Sequence, residues 1–145
     1  MHLIVNKKAH FEYAIEETYT AGVQLSGPEV KSIRLGQGSL QGSFVKIVNG
    51  EAFLLNAQIT QYKFSTDPKY ESKRTRKLLI KKSELLALSE LTHNKGKVLV
   101  ALSFSTTGRY LKLVIGVGRG KKQFEKRAHI KEREELRKIQ RTFRN

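Results

Sequence analysis

The chain has no cysteine and no tryptophan among its 145 residues. The lack of cysteine excludes disulfides, thiolate metal sites and cysteine nucleophiles together. It also suits a reducing compartment. The four histidines, His2, His10, His93 and His129, lie far apart in the sequence and lack the spacing of metal ligands. We therefore expect neither a metal ion nor any other cofactor.

Acidic residues are scarce. Lys and Arg number 28 against 13 Asp and Glu, Asp67 is the one aspartate, and the formal net charge is +15. A catalytic carboxylate pair would need glutamates, and no spacing singles any of them out. The positive excess instead predicts a polyanionic partner, either a nucleic acid or an anionic membrane surface. We expect a binding protein rather than an enzyme.

Long hydrophobic runs are also missing. No apolar run approaches the ~20 residues that span a bilayer, and Met1–Val5 is too short for the apolar region of a signal peptide. A length of 145 residues fits one domain. These features predict a cytoplasmic protein without a membrane attachment, and we expect it to act as a monomer.

Several short runs have the alternation and flanking turn residues of β-strands. Phe11–Leu25 alternates from Phe11 onward and predicts a strand with a bend or bulge at Ala21–Gly22. Asn49–Gly50, between two apolar runs, predicts a tight hairpin because both turn positions need positive φ. Lys97–Phe104 and Tyr110–Val117 predict a second antiparallel hairpin.

Two short helices are predicted by their capping residues. The first begins at Ser26–Gly27–Pro28–Glu29, where Ser or Gly can cap and Glu complements the positive end of the helix dipole. Its predicted buried side includes Ile33 and Leu35. The second begins at Ser83, a plausible N-cap, and buries a leucine stripe. The stripe consists of Leu85, Leu86, Leu88 and Leu91.

Short strands with frequent turn signals and few helices indicate a mainly β fold class. We expect residues 1–118 to form a small OB-like antiparallel β-barrel with two to three short flanking helices. Such barrels bind single-stranded and folded RNA. Tyr62 and Phe64 are interpreted as core aromatics of this barrel, although rings beside cations can also stack on unpaired bases.

The stretch Gly116–Arg127 joins this body to a basic C-terminal tail, residues 119–145. Gly116, Gly118 and Gly120 alternate there, and glycine lets another backbone approach closely. The stretch is either a phosphate-contacting strand edge or a flexible strand end before a solvated charge run. The tail has 11 basic and 4 acidic residues, a net +7. Because few of its residues are apolar, we expect it to be disordered alone and helical on a partner.

The order of several short motifs resembles the small protein B (SmpB) family from Asn6 to about Glu134. In chain order these segments are Asn6–Ala9, Glu17–Tyr19, Gly27–Arg34, Gly42–Phe44, Asp67–Pro68, Arg74–Leu79, Gly116–Lys122 and Glu125–Arg127. The last segment occupies the position of the family's Asp-Lys-Arg. Several motifs in the right order are far more specific than any one of them.

The resemblance implies an RNA-binding adaptor. Such a protein binds the tRNA-like domain of transfer-messenger RNA and delivers it to stalled ribosomes for trans-translation, which rescues the ribosome and tags the nascent chain. Its tail folds as a helix along the empty mRNA channel near the decoding centre. The implied partners are therefore transfer-messenger RNA and the ribosome.

The resemblance and the charge pattern together mark two sets of site residues. The set expected to contact transfer-messenger RNA is Asn6, Lys7, Lys8, Thr20, Lys31, Arg34, Arg74, Arg76, Lys77, Leu79, Arg119, Lys121 and Lys122. The set expected to contact the ribosome is Phe11, Glu125, Lys126, Arg127, Lys131, Arg133, Arg137, Lys138, Ile139 and Arg141. The family usually carries Glu at the position of Thr20, and often Arg-His at His10–Phe11.

Two other classes of protein share these features. A ribosomal or ribosome-assembly RNA-binding protein would have the same charge and barrel, and would co-purify with one ribosomal subunit independently of stalling. An enzyme acting on RNA is the third possibility, which turnover abolished by a single Glu or His substitution would support.

Overall fold

A computed structural model describes residues 2–121 and positions 133, 134 and 137. Within that part of the chain, nine strands and three helices follow one another. The strands are β1 (His2–Val5), β2 (Tyr13–Val23), β3 (Gly38–Ser39), β4 (Phe44–Val48), β5 (Glu51–Leu55), β6 (Gln58–Ile59), β7 (Arg76–Leu79), β8 (Val98–Thr107) and β9 (Tyr110–Gly120). The helices are α1 (Lys7–Glu12), α2 (Gly27–Arg34) and α3 (Lys82–His93). The predicted mainly β fold class is confirmed.

Seven strands form one antiparallel sheet in the order β1-β8-β4-β5-β7-β2-β9. Strands β8 and β9 also pair along most of their length. The pairings therefore close a circuit through six strands, with β1 attached to β8, which is the connectivity of a small barrel. The junction between β4 and β8 consists of the single pair Phe44 and Val100. Strands β3 and β6 form a separate two-stranded sheet.

The main apolar core lies inside this circuit and beneath two helices. Ile33 of α2 and Leu88 of α3 are fully buried against sheet residues such as Leu54 and Ile115. A second, smaller cluster packs α1 on the opposite face of β8, because alternate strand residues point to opposite faces. Its buried members are Ala9, Val100 and Leu102.

The N-terminal region differs most from the sequence-based prediction. Residues 2–5 form β1, which no local pattern predicts, and it pairs with β8 from His2 opposite Ser105 onward. The predicted strand start at Phe11 is wrong, because Phe11 lies in α1 and β2 begins at Tyr13. The packing of α1 on β8 outweighs the local alternation of this segment.

The irregularity in β2 also lies elsewhere than predicted. The register with β9 shifts between Ile15 and Glu17, whereas Ala21 and Gly22 pair regularly with Leu113 and Lys112. The bulge is thus near the start of the strand, beside α1.

Helix α2 begins as predicted, with a complete capping box. The hydroxyl of Ser26 accepts a hydrogen bond from the N–H of Glu29, and the Glu29 carboxylate accepts one from the N–H of Ser26. The buried side of the helix differs from the prediction. It contains Glu29, Ser32 and Ile33, whereas Leu35 is the exposed C-cap residue. Because the Glu29 side chain points into the protein, the buried side of α2 is rotated relative to the predicted one.

Both predicted hairpins are confirmed. Strands β4 and β5 meet at Asn49 and Gly50, which have φ of 52° and 74° as a tight primed turn requires. Strands β8 and β9 form the second hairpin around Gly108. Strand β9 continues past Val117 to Gly120, where it still pairs with β2.

Helix α3 forms as predicted but starts and packs differently. It begins at Lys82 without a side-chain cap, so the predicted N-cap at Ser83 is wrong. Leu88 is buried as expected, but Leu86 is 62% exposed. Phe64 is likewise 71% exposed in the loop after β6, so its interpretation as a core aromatic is wrong.

The glycines of β9 serve close packing between strands. A Cβ atom on Gly118 would lie 2.1 Å from the carbonyl oxygen of Ala14, and one on Gly116 would lie 2.9 Å from a methyl carbon of Leu102. Both glycines are buried. A Cβ on Gly120 would meet no atom within 4 Å. Gly116 and Gly118 therefore admit neighbouring protein groups rather than a phosphate, and they are not a flexible strand end.

Candidate nucleic-acid interface

A buried ion pair joins α2 to β7. The side chains of Glu29 and Arg76 are 1% and 0% exposed, and the Arg76 Nη2 atom lies 2.6 Å from the Glu29 Oε2 atom. Arg76 Nε donates to the same oxygen at 3.0 Å. Arg74 donates a further hydrogen bond to Oε1 of Glu29. Such pairing is required because a buried charge without a partner is strongly destabilising.

Every N–H of the Arg76 guanidinium has an acceptor inside the protein. Besides Glu29, its Nη atoms donate to the carbonyls of Ala57 at 2.8 Å, Arg74 at 3.0 Å and Ser72 at 3.1 Å. A guanidinium has five such donors, so none remains for a ligand. The structure thus places Arg76, a predicted RNA-contacting residue, in the interior, where it holds the segment before β7 against α2.

The surroundings of Glu29 strongly favour its charged form. Burial by itself would raise the pKa of the Glu29 carboxyl. Hydrogen bonds from Arg74, the Ser26 backbone and Arg76, together with the Arg76 charge, outweigh burial and lower this pKa from 4.5 to about 2. Glu29 therefore stays ionised at neutral pH, and we call Glu29, Arg74 and Arg76 the buried hub.

The side chain of Asn6 fastens α1 to the barrel. Its Oδ1 accepts a hydrogen bond from the N–H of Ala9 at 3.2 Å, which caps the helix. Its Nδ2 donates to the carbonyls of Leu40 and Ala101, both at 2.9 Å. Asn6 is buried, so it orients α1 from inside and does not present its amide to solvent.

Cationic side chains lie on α1 and at the end of β9; those of Lys7, Lys8 and Arg119 are exposed and that of Lys121 is half-buried. We call this group the α1 surface; its members are Lys7, Lys8, Arg119 and Lys121. The backbone N–H of Lys121 donates to the carbonyl of Glu12 at 2.8 Å, and its Nζ donates to the carbonyl of His10 at 3.0 Å. The end of β9 is thereby fastened to the C-terminal end of α1. Four predicted site residues from the two ends of the sequence thus come together.

A groove of about 780 Å³ opens beside α1, where β4 and β8 share only one residue pair. Its lining includes Lys8, Glu12, Tyr13, Phe44 and Lys97. Lysines contact phosphates, and partly exposed aromatic rings can stack on bases. Lys8 pairs with Glu12 at 3.7 Å and Lys97 with Glu16 at 2.9 Å. The groove adjoins the α1 surface, and a phosphate there would compete with these glutamates for the lysines.

Helix α2 presents a second pair of predicted cations. Lys31 and Arg34, three residues apart, share its exposed side. Arg34 donates to the carbonyl of Arg109 at 2.7 Å, in the turn between β8 and β9. The Lys31 ammonium lies 5.5 Å from the centre of the Tyr62 ring.

The predicted residues Thr20 and Leu79 share one face of the sheet. Leu79 of β7 pairs with Gly22 of β2, two residues from Thr20. Directly paired residues point to the same face, as do residues two apart on one strand. Leu79 is 53% exposed beside Gly22, and Thr20 is exposed as well. Lys77 forms an exposed ion pair with Glu51 at 3.2 Å.

Most of the residues predicted to contact the ribosome lie outside the described part of the chain. Phe11 is half-buried in α1, and Arg133 and Arg137 have exposed side chains at helical positions. The others and Lys122 lie outside the described residues. They are Lys122, Glu125, Lys126, Arg127, Lys131, Lys138, Ile139 and Arg141.

Sequence reasoning missed the central role of Glu29. The capping position predicted only an interaction with the helix dipole, whereas the carboxylate also accepts hydrogen bonds from Arg76, 47 residues away. Arg74 and Arg76 lie 45 and 47 residues from Glu29 in the sequence, so no local pattern points to this pair. Sequence separation alone could not have shown which cation is buried.

The described residues contain neither a metal cluster nor a membrane-spanning helix. Histidine, aspartate and glutamate do not gather there in groups of three or more that could hold a metal ion. None of the helices in the described part of the chain is long and apolar enough to cross a bilayer.

Comparison with known proteins identifies the family. The sequence model of a family described as "SmpB protein" matches residues 3–145. This chain belongs to the SmpB family. The prediction from the order of its motifs is confirmed.

Relatives of this SmpB-family chain are similar over nearly its whole length. It is 45% identical to the SsrA-binding protein of Geobacillus sp. (strain WCH70), over 96% of this chain and 90% of the relative. It is 42% identical to the SsrA-binding protein of Bacillus subtilis (strain 168), over 97% and 90%. It is 47% identical to that of Chlorobium chlorochromatii (strain CaD3), over 94% and 87%.

A solved structure is similar in fold as well as in sequence. It is described as "tmRNA-SmpB: a journey to the center of the bacterial ribosome". The TM-score is 0.70 at 39% identity, covering 85% of this chain and 87% of that chain. An identity of this size supports a relation beyond a shared fold.

Proposed function

We propose that this SmpB-family protein is an RNA-binding adaptor. It binds the tRNA-like domain of transfer-messenger RNA and delivers it to stalled ribosomes for trans-translation. The relatives carry the name SsrA-binding protein, and the description of the similar structure names tmRNA, SmpB and the bacterial ribosome. The observation that carries the proposal is the α1 surface, where cations from both ends of the sequence converge beside a groove.

The α1 surface binds RNA through fixed positive charges. Its lysines neutralise phosphates and release counterions, which is the main sequence-independent source of affinity for RNA. Asn6 and Lys121 hold α1 in place before RNA arrives. Less ordering is then required on binding, so a larger share of the contact free energy appears as affinity.

The predicted RNA-contacting residues divide into two roles. Asn6 and Arg76 act by positioning, because both are buried and bonded to protein groups. Arg74 belongs with them in part, since it bonds Glu29 while remaining about a third exposed at 37%. We assign direct contact to the other described members of the set, which are exposed except that Lys77 and Lys121 are half-buried. They are Lys7, Lys8, Thr20, Lys31, Arg34, Lys77, Leu79, Arg119 and Lys121. Lys122 is assigned to the same set by its position next to Lys121.

The tail is proposed to contact the ribosome. Beyond the cations assigned to transfer-messenger RNA, residues 123–145 carry a net charge of +4, from eight basic and four acidic residues, which suits a channel lined with RNA. The entropy cost of ordering the tail is offset only when the tail makes its contacts. Helix formation is therefore coupled to ribosome binding.

Binding rather than catalysis is the proposed activity, and the cytoplasm is the proposed location because ribosomes work there. The ionised groups of the buried hub bond one another inside the protein. The charged groups left for the interface are mainly cations. A ribosomal or ribosome-assembly protein is the alternative function. It would remain on one subunit through purification whether or not ribosomes were stalled.

A mobility-shift competition tests the adaptor function. The protein is titrated into the tRNA-like domain and into an unstructured RNA of the same length, at physiological salt, with and without residues 128–145. We expect tighter binding to the tRNA-like domain by both proteins, and loss of ribosome rescue in the shortened one. Equal affinity for the two RNAs would contradict the proposal, and normal tagging by the shortened protein would contradict the role of the tail.

A further inference from the structure

The loop after β6 presents an exposed pair of aromatic rings with lysines over them. The rings of Tyr62 and Phe64 meet edge to face, with centroids 5.4 Å apart and planes at 67°. The Lys63 ammonium lies 4.8 Å from the centre of the Phe64 ring, and that of Lys31 lies 5.5 Å from the centre of the Tyr62 ring. Phe64 is 71% exposed. We call these four residues the aromatic cluster.

The loop that carries the aromatic cluster is fastened at several points. The N–H of Thr60 donates to the carbonyl of Gln37 at 3.3 Å, and the side chain of Gln61 donates to the carbonyl of Asp67 at 2.7 Å. The N–H of Ser65 donates to the carbonyl of Tyr62 at 2.8 Å. These bonds hold the backbone on both sides of the ring pair, so its exposure is a feature of an ordered loop.

The buried hub connects this loop to α2. Tyr70 donates to the carbonyl of Ile59 at 2.7 Å and to the Glu29 carboxylate at 3.3 Å. Arg76 bonds the carbonyl of Ser72 farther along the same loop. Because Glu29 belongs to α2, the hub fixes the separation between the helix, which carries Lys31, and the loop, which carries the two rings.

The charges around the rings favour an anionic ligand. Lys31 and Lys63 stand over the ring faces, and Lys69 is exposed in the same loop. The loop's acids are Asp67, whose carboxylate accepts the N–H of Lys69, and Glu71. Two rings are small for a protein-docking patch, which usually extends over several hundred Å². An aromatic face with flanking ammonium groups matches a nucleobase and its phosphates.

We propose that the aromatic cluster is a stacking platform for one unpaired RNA base. Phe64 provides an exposed ring, Tyr62 meets that ring edge to face, and Lys31 and Lys63 contact the adjoining phosphates. The proposal rests on the adaptor function above in that its ligand is RNA. It adds a base contact to the charge contacts of the α1 surface. Of the residues that make this contact, Lys31 alone belongs to a predicted contact set.

The absence of tryptophan from the chain permits a direct optical test. Phe64→Trp introduces a single tryptophan at the platform, and Leu86→Trp introduces one at a similarly exposed site on α3. Each variant is titrated with the tRNA-like domain while fluorescence and mobility shift are recorded in parallel. We expect RNA to quench the fluorescence of Phe64→Trp strongly, at the same midpoint concentration as the mobility shift. The fluorescence of Leu86→Trp should remain nearly unchanged.

A second series separates stacking from general apolar contact. Phe64→Tyr keeps a ring face, whereas Phe64→Leu keeps apolar character without one. Loss of one base stack corresponds to roughly 5–150-fold in affinity. We expect Phe64→Leu to lower RNA affinity within this range and Phe64→Tyr to retain it.

The outcomes distinguish this proposal from the adaptor function. Normal RNA affinity of Phe64→Leu, or equal quenching of the two tryptophan variants, would overturn the platform while leaving the adaptor function intact. A blue shift of Phe64→Trp with purified ribosomal proteins but no quenching by RNA would also overturn it, in favour of a protein partner. Failure of the unmodified protein to bind RNA would overturn both.

Discussion

At the scale of single residues, the least expected finding is that two predicted RNA ligands are interior groups. Arg76 and Asn6 belong to motifs that resemble the SmpB family, yet each has its polar atoms satisfied by the protein. A basic or amide side chain in a binding motif can therefore act by placing its neighbours. Substitutions that keep the size of a side chain but remove its charge or its hydrogen-bond donor distinguish a positioning role from direct contact with RNA.

Glu29→Gln tests the buried hub through pH. Because the folded pKa of Glu29 is about 2, the ionised carboxylate stabilises the fold fully above pH ~4.5, and this contribution, about 3 kcal/mol, disappears as pH falls toward 2. We expect Glu29→Gln to lower the free energy of unfolding at pH 7 and to flatten its acid dependence, measured by urea denaturation. Glu90→Gln, at an exposed position on α3, should keep the original dependence. If the free energy of unfolding fell equally with decreasing pH in Glu29→Gln and in the parent protein, the lowered pKa of Glu29 would be contradicted.

Gly118→Ala tests the close approach of β9 and β2. Its new methyl group would overlap the carbonyl of Ala14, so we expect a loss of about 3 kcal/mol in the free energy of unfolding, at the upper end of overpacking. Gly120→Ala is the matched control on the same strand, since nothing lies within 4 Å of its Cβ position. Similar thermal denaturation of the two variants would show that the strands can separate without cost.

At the scale of elements, local signals predicted the structure where the chain itself supplies the stabilising groups. Asn49–Gly50 and the Ser26–Glu29 capping box lie within the elements they define, so both elements were predicted from sequence. Helix α1 has only six residues, too few to be stable alone, and it depends on contacts with β8 about 95 residues away. Its existence, like that of β1 and the burial of Arg76, is decided by distant partners that local patterns do not reveal.

Asn6→Asp separates the two ways in which Asn6 holds α1. Aspartate keeps the acceptor that caps Ala9 but replaces the amide nitrogen, which donates to the carbonyls of both Leu40 and Ala101, with an oxygen that cannot donate. We expect a loss of about 3 kcal/mol in the free energy of unfolding, because buried acceptors are left unpaired. Asn94→Asp, at the exposed end of α3, should cost at most about 1 kcal/mol through the helix dipole. A stable Asn6→Asp variant would mean that the cap alone fixes α1.

At the scale of the whole molecule, a circuit of six paired strands carries an unevenly charged surface. The excess of +15 predicted an anionic partner from composition, and the motif order predicted the family. Composition could not reveal which cations share a surface, because the pairing of β2 with β9 and the bonds of Lys121 to α1 bring the end of β9 beside that helix. The position of the α1 surface is therefore a property of the topology.

Affinity for the tRNA-like domain, measured in two charge-reversed proteins, distinguishes binding by the α1 surface from binding by total charge. Lys7 and Lys8 begin α1, and Lys81 and Lys82 are an equally exposed pair at the start of α3. Reversing either pair to Glu changes the net charge by the same amount. We expect Lys7→Glu/Lys8→Glu to weaken binding at least about tenfold and to reduce the salt slope by about 1 per lost phosphate contact, with little effect of Lys81→Glu/Lys82→Glu. Equal losses in both proteins would mean that total charge, and not the α1 surface, binds the RNA.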